Sequence, residues 1–141
     1  MYLDSCILVK LFVREADSEF FGKLTDGQVL SSSMLAYTEV WSALLAKERA
    51  GMITAEYRRR AWAAFQHNVD GETIALAPLS PALFRRAHRL LEQCHPQAPL
   101  RSLDAVHLAT CDQLQEWPFC TTDQRLLAAA RLLGFPLATE G

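Results

Sequence analysis

Four acidic residues, far apart in the chain, stand where an acidic side chain is unusual. Asp4 and Asp123 stand at the ends of the first and fourth predicted strands, and Glu39 and Asp104 lie inside apolar helical patterns. Burial of a carboxylate is costly unless the group is paired or bound to a cation. Two ionised carboxylates about 4 Å apart repel by about 4 kcal/mol at an effective dielectric constant of about 20. If the fold gathers these four acids, a hard divalent cation is the natural counter-charge.

Each acid also has an ordinary structural explanation. Aspartate is a favoured N-cap residue, so Asp4 and Asp123 could each begin a helix. The other two acids could form ion pairs with nearby bases such as Lys10 or Arg101. The chemical interpretation therefore depends on all four side chains converging on one place.

The elements that must position these acids alternate between short apolar strands and amphipathic helices. The predicted strands are 2–3, 28–31, 73–76 and 118–121, with an edge strand at 136–138. The predicted helices begin or are capped at Ser5, Ser18, Ser33, Thr54, Ser80, Ser102 and Gln124. Gly51 and Gly134 are predicted helix stops. This order predicts an α/β fold with a short central parallel sheet and helices on both faces.

A parallel sheet would bring two of the acids to the same edge. Working residues in open α/β sheets lie beyond the carboxyl ends of the strands. Asp4 and Asp123 follow the first and fourth predicted strands, and the fold would bring those two strand ends to one edge. We therefore expect an acidic site at that edge, beside the starts of two helices.

Composition indicates one ordinary globular domain, predicted to span residues 1–141. Half of the residues are hydrophobic, 21% are charged and the net charge is −2, which excludes a disordered chain or a general polycation. Without the four acids the rest of the chain is slightly basic, as suits an enzyme that acts on a polyanion. The apolar runs are too short to span a membrane. Asp4 stands where a signal peptide needs basic residues, so a cytoplasmic protein is expected.

Other sites are less well supported by the residues. The sequence has no G-x-G-x-x-G, Walker A or G-x-S-x-G motif, so dinucleotide, P-loop and serine-hydrolase chemistry lack their signatures. A zinc site could use the remaining candidates, but their spacing matches no common zinc module. Those candidates are Cys94, His95, His107 and Cys111. Packing of Cys111 in a helix interface and an ordinary helical role for His107 are the expected alternatives.

Two arginine clusters and one aromatic stripe have open roles. The clusters could line an RNA path, meet an acidic partner or form solvated helix faces. Their members are Arg58, Arg59 and Arg60 in one helix and Arg85, Arg86 and Arg89 in the next. The stripe could form a dimer or partner surface, although core packing is the default at helical spacing. Its members are Trp41, Tyr57, Trp62 and Phe65.

Four segments in order resemble the motifs of PIN-domain proteins. They are Tyr-Leu-Asp-Ser at residues 2–5, Tyr-Thr-Glu-Val at 37–40, LRSLDAVHLAT at 100–110 and TTDQRLLAAARLLGF at 121–135. The resemblance covers essentially the whole chain. At this length, the sequence is most similar to the VapC-type toxins of bacterial toxin–antitoxin pairs.

The resemblance implies an endoribonuclease that depends on Mg²⁺ or Mn²⁺. It assigns metal-binding and catalytic roles to Asp4, Glu39, Asp104 and Asp123, with Asp4 and Asp104 as the expected direct ligands. Hydroxyl groups that could orient water belong to Ser5, Thr121 and Thr122. By analogy with the family, the expected partners are an RNA substrate, a cognate antitoxin and a second copy of the chain.

Two alternatives stay open. One is a non-catalytic interaction module whose acids only cap and pair. The other is a metal-dependent phosphatase or DNA nuclease on a similar sheet, although the segment Asp4-Ser5-Cys6 lacks the second aspartate of haloacid-dehalogenase-type enzymes.

Overall fold

The computed structural model describes residues 1–138, which form four strands and seven helices. The strands are β1 (Tyr2–Leu3), β2 (Leu30–Ser33), β3 (Ile74–Ala77) and β4 (Phe119–Cys120). The helices are α1 (Ser5–Phe12), α2 (Ser18–Thr25), α3 (Leu35–Arg49), α4 (Ala55–Asp70), α5 (Pro81–Cys94), α6 (Ser102–Leu114) and α7 (Gln124–Leu132). The predicted α/β alternation is confirmed. The predicted domain also included residues 139–141, which lie outside the described residues.

The four strands form one parallel sheet with the order β3-β2-β1-β4. The chain moves from β1 through β2 to β3 on one side and then returns to place β4 on the other side of β1. Tyr2 pairs with Ser31 of β2 and with Phe119 of β4, and Leu3 pairs with Cys120. The predicted edge strand at 136–138 is reduced to one parallel bridge between Phe119 and Leu137. The central strand β1 therefore carries its residues into the middle of the molecule.

Helices cover both faces of the sheet, as predicted. Successive strand residues point to opposite faces, so Tyr2 and Phe119 enter one core cluster while Leu3 and Cys120 enter the other. The first cluster takes its helical residues from α5, α6 and α7. The second takes them from α1, α2, α3 and α4. Among the described helices, none combines the length and apolar composition that a membrane span requires.

Most helix starts follow the predicted caps, with corrections at α1 and at α3, whose N-cap is Met34 rather than Ser33. The side chains of Thr54 and Ser80 accept hydrogen bonds from Tyr57 N and Leu83 N, as their N-cap assignment requires. Helix α1 is capped by Asp4 rather than by Ser5, because the Asp4 carboxylate accepts from a backbone N–H of the first turn.

Strand β2 is displaced two residues toward the C-terminus from its predicted position. Its serines are buried, and Ser32 Oγ donates to Leu3 O at 2.6 Å. This tertiary hydrogen bond lets a polar run lie inside the sheet, which local sequence does not indicate.

Four charged residues connect the end of α1 with α3. Lys10 Nζ lies 2.8 Å from Glu15 and 3.0 Å from Asp17, and Lys47 Nζ lies 2.7 Å from Glu15. Burial disfavours the ionised form of Glu15, but the two lysine hydrogen bonds outweigh burial and lower the pKa of this carboxyl. Lys10 therefore does not form the predicted alternative ion pair with Glu39, because it binds Glu15 and Asp17.

The arginine clusters are partly paired within the fold. Arg58 binds Glu48 and stacks over Trp41, Arg60 binds Glu56, and Arg86 binds Asp112. In the aromatic stripe, Phe65 is fully buried and Tyr57 is 38% exposed, so core packing accounts for only part of it. Trp41 and Trp62 are half-buried and lie 4.9 Å apart between ring centroids.

Candidate active site

The site lies at the point in the sheet where the strand order reverses, between β1 and β4. Strands β1 and β4 are neighbours although they are far apart in sequence, and Asp4 and Thr121 follow their carboxyl ends. In open α/β sheets such a switch point forms a crevice that holds ligands. The expected meeting of the first and fourth strand ends is confirmed.

Asp4 is buried at this point, with 3% of its surface exposed. Its Oδ1 accepts hydrogen bonds from Cys6 Sγ at 2.7 Å and Ile7 N at 3.2 Å, and its Oδ2 accepts from Thr121 Oγ1 at 2.5 Å. Burial raises the pKa of Asp4, although these hydrogen bonds lower it. Burial and the nearby Asp4 charge raise the pKa of Cys6 to about 12, so its thiol remains a donor. A carboxyl whose charge is disfavoured gains from a cation beside it.

Asp123 is exposed and caps helix α7. Its Oδ1 accepts from Arg125 N at 2.8 Å and Leu126 N at 3.2 Å. Its own backbone N–H donates to Thr121 Oγ1 at 3.0 Å, and the same hydroxyl donates to Asp4. Thr121 therefore links two of the four acids directly, and both acids also serve as helix caps.

Asp104 lies in the first turn of α6 and is half-buried. Its Oδ2 accepts a long hydrogen bond of 3.4 Å from Arg101 N. Burial is the main cause that raises the pKa of Asp104, and the negative charge of Asp123 raises it further. The effect of Asp123 on Asp104 indicates that the starts of α6 and α7 bring these two acids within electrostatic range.

Glu39 reaches the site from α3 through a histidine. Its Oε1 lies 2.5 Å from His107 Nε2, and the other ring nitrogen of His107 lies 2.8 Å from the Tyr2 hydroxyl. His107 lies within electrostatic range of Asp4 and Asp104. The four predicted acids are therefore linked by hydrogen bonds or lie within electrostatic range of a shared neighbour.

The described residues offer oxygen donors for a metal ion but no compact cluster of ligands. Within residues 1–138, no three side chains from histidine, cysteine, aspartate and glutamate are grouped as a metal-binding set. The donors that converge are nonetheless carboxylates and hydroxyls, the hard oxygen ligands of Mg²⁺ and Mn²⁺. Mg²⁺ retains several waters and is usually bound directly by only one or two carboxylates. The residues fit an ion that is held partly through water.

The zinc alternative has no support in the described part of the chain. Cys94 and Cys111 are buried in the apolar core, His95 is exposed and His107 faces Tyr2 and Glu39. The expected helical histidine with satisfied ring nitrogens is confirmed at His107, which hydrogen-bonds Tyr2 and Glu39. Its contact with a candidate site residue was signalled in the sequence only by its position three residues after Asp104 on one helix face.

Comparisons with known proteins agree with this architecture. A PIN domain family model matches residues 1–132. Ribonuclease VapC46 of Mycobacterium tuberculosis strain H37Rv is 37% identical over 139 residues, which cover 95% of this chain and 92% of that protein. Ribonuclease VapC47 of M. tuberculosis strain CDC 1551 is 31% identical and aligns with 100% of this chain and 97% of its own length. The chain belongs to the PIN-domain family.

Proposed function

We propose that this protein is a metal-dependent endoribonuclease and the toxin component of a type II toxin–antitoxin pair. The observation that supports the proposal is the arrangement at the β1–β4 switch point, where Thr121 links Asp4 with Asp123 and the charge of Asp123 acts on Asp104. The names of the two relatives, both ribonucleases, favour RNA as the substrate.

In this proposal Asp4 and Asp104 bind Mg²⁺ or Mn²⁺ directly. Glu39 and Asp123 complete the shell directly or through water. The donor atoms support this assignment. In Glu39, Asp104 and Asp123 the hydrogen bonds described above engage one carboxylate oxygen and leave the other for an ion. In Asp4 both oxygens accept hydrogen bonds, but Oδ2 accepts only that of Thr121 and keeps a second lone pair. A cation there relieves the repulsion between Asp104 and Asp123.

The residues provide the remaining parts of phosphodiester hydrolysis. A bound Mg²⁺ supplies a lowered pKa for coordinated water and positive charge against the phosphate. Glu39 or Asp123 accepts the proton of the attacking water. The hydroxyls of Ser5, Thr121 and Thr122 orient water by hydrogen bonds. None of these steps needs a covalent bond between enzyme and substrate.

The biological assignment adds two protein partners and a location. We expect a cognate antitoxin, a homodimer and a cytoplasmic setting, all by analogy with VapC-type toxins. Co-expression with the protein of a small adjacent reading frame, followed by purification of a stable complex that loses ribonuclease activity, would support the antitoxin. A chain that behaves as a monomer during sedimentation would contradict the homodimer.

Cleavage by the purified protein tests the enzymatic proposal. Single-stranded RNA, DNA of the same sequence and p-nitrophenyl phosphate are compared with Mg²⁺, with Mn²⁺ and with EDTA. We expect cleavage of RNA with either metal, none with EDTA, and loss of activity in Asp4→Asn and Asp104→Asn. The matched control is Asp70→Asn, an exposed aspartate at the end of α4, at the opposite edge of the sheet.

The same assay separates the alternatives. Preferred cleavage of DNA or of the small phosphoester would replace the ribonuclease proposal with one of the other metal-dependent hydrolases. Undiminished cutting by the two variants would remove the acids from the mechanism. No cleavage, together with no gain in melting temperature from metal, would favour a non-catalytic module.

A further inference from the structure

A buried chain of hydrogen bonds leads from the central strand to Glu39. The Tyr2 hydroxyl lies 2.8 Å from His107 Nδ1, and His107 Nε2 lies 2.5 Å from Glu39 Oε1. Tyr2 is fully buried, His107 is 2% exposed and the Glu39 side chain is 26% exposed. The chain therefore begins in the core and ends at a carboxylate that reaches the site.

The proton positions along this chain follow from the chemistry of its end groups. An ionised Glu39 only accepts hydrogen bonds, so His107 Nε2 must carry a proton. In the neutral ring Nδ1 is then an acceptor, and the Tyr2 hydroxyl donates to it. The Tyr2 contact therefore fixes the tautomer that His107 presents to Glu39.

The chain also ties together the segments that carry the other acids. Tyr2 stands two residues before Asp4, and His107 stands three residues after Asp104. Glu39 comes from a different helix and has a long side chain with three rotatable bonds. The His107 hydrogen bond selects one arrangement of that side chain relative to β1 and α6, and it leaves Oε2 available to a water or an ion.

We propose that His107 is the positioning residue for Glu39, with Tyr2 fixing its tautomer. His107 does not itself touch substrate or metal in this role. The inference rests on the proposed function, because the part of Glu39 in metal binding is itself proposed. Hydrogen-bond partners of metal-binding side chains typically contribute a factor of roughly 10–100 in metal affinity or activity.

Two substitutions that differ by one methylene group test the role. The amide of Gln in His107→Gln can reach the place of Nε2 and donate to Glu39, whereas the shorter amide in His107→Asn reaches only the place of Nδ1. The dissociation constant for Mn²⁺ is measured by the free-ion EPR signal, alongside the melting temperature and the rate of RNA cleavage. Thr25→Val, which removes a buried hydroxyl hydrogen bond on α2, is the control for stability loss alone.

We expect His107→Asn to weaken Mn²⁺ binding by roughly 10–100-fold, with the rate of RNA cleavage falling alongside. His107→Gln is expected to keep most of the wild-type affinity, although both variants lose a similar amount of thermal stability. Thr25→Val should melt earlier and bind Mn²⁺ normally. Equal Mn²⁺ affinity in the two His107 variants, whether retained or lost, would overturn the proposal.

A milder variant keeps the proposal testable if the His107 variants do not fold. Tyr2→Phe preserves the ring and removes only the hydroxyl, and we expect weaker Mn²⁺ binding in the same direction; unchanged affinity would overturn the chain. Wild-type protein that binds Mn²⁺ but cuts no RNA would refute the proposed ribonuclease and leave the positioning role intact. If wild-type protein cuts RNA and all three variants bind Mn²⁺ normally, the positioning role of His107 is refuted and the proposed ribonuclease stands.

Discussion

Replacement of Asp104 by asparagine separates two effects of this carboxylate: the destabilisation of the metal-free fold and the binding of metal. Without metal, the folded state raises the pKa of Asp104 above its ordinary 3.8, through burial first and the charge of Asp123 second. A carboxyl with a raised folded pKa destabilises the fold increasingly as pH rises from the unfolded value through the folded value. Asn lacks this penalty. The metal-free Asp104→Asn variant should therefore be at least as stable as wild type at pH 7, with the difference shrinking below about pH 4.

The structure indicates that little else is lost in this exchange. Asparagine keeps the shape of the side chain, and the hydrogen bond from Arg101 N is long, at 3.4 Å. A bond of that length belongs at the weak end of the range, at about 0.5 kcal/mol. The effect of metal is larger. At a Mn²⁺ concentration 100-fold above the dissociation constant, binding adds about 2.7 kcal/mol of stability to the wild-type fold.

These free energies convert into melting temperatures that differ clearly. At roughly 3 °C per kcal/mol for a chain of this size, Mn²⁺ should raise the wild-type melting temperature by about 8 °C. If the variant binds about 100-fold more weakly, the same Mn²⁺ concentration adds only about 0.4 kcal/mol, or about 1 °C.

Differential scanning calorimetry with and without Mn²⁺ measures both effects. Ca²⁺-free buffer and EDTA define the metal-free state, and Asp70→Asn again serves as the control. A variant that gains as much from Mn²⁺ as wild type does would refute the placement of Asp104 in a metal site. A metal-free variant that is markedly less stable than wild type at pH 7 would refute the electrostatic reasoning.

Three further predictions concern stability and are measured by chemical denaturation. Glu15→Gln should lower the free energy of unfolding by about 1–2 kcal/mol at pH 7. Because folding lowers the pKa of Glu15 from 4.5, this loss should fade as the pH drops below 4.5. A loss that does not depend on pH would contradict the ion-pair explanation. Phe65→Ala, in the buried core, should cost about 3–5 kcal/mol, whereas Phe20→Ala, at a side chain that is 56% exposed, should change stability far less. Gly134→Ala should cost about 1–2 kcal/mol, because φ is +73° there, while Gly22→Ala in α2 should gain about 0.5–1 kcal/mol; equal effects at the two glycines would contradict the conformational argument.

Local patterns predicted the element order well because they report on local causes. Thr54 and Ser80 form the hydrogen bonds that their positions before helices require. The sequence predicts strand β2 two residues too early, because the burial of this strand depends on a partner across the sheet, through Ser32. Element type therefore follows from nearby residues, whereas the ends of a strand follow from what it pairs with.

The sequence pointed to the acids of the candidate site but not to the residues that contact them. Asp4 stood out because it follows a predicted strand, and Asp104 because acids are rare in apolar segments. The sheet order explains why Asp4 and Asp123 lie at one edge. The partner of Glu39 was not predictable, since the sequence offered Lys10 and gave no signal for His107. In the fold Lys10 binds Glu15 and Glu39 contacts His107.

The double duty of Asp4 and Asp123 affects how substitutions at these positions should be interpreted. Each carboxylate begins a helix as well as facing the site, so alanine there removes an N-cap and the charge together. Asparagine caps about as well as aspartate. A mutational survey built on alanine would therefore confound impaired chemistry with a frayed helix end, whereas asparagine keeps the cap. At Asp4 asparagine also loses one acceptor oxygen, so its effect includes the contact with Thr121 or Cys6.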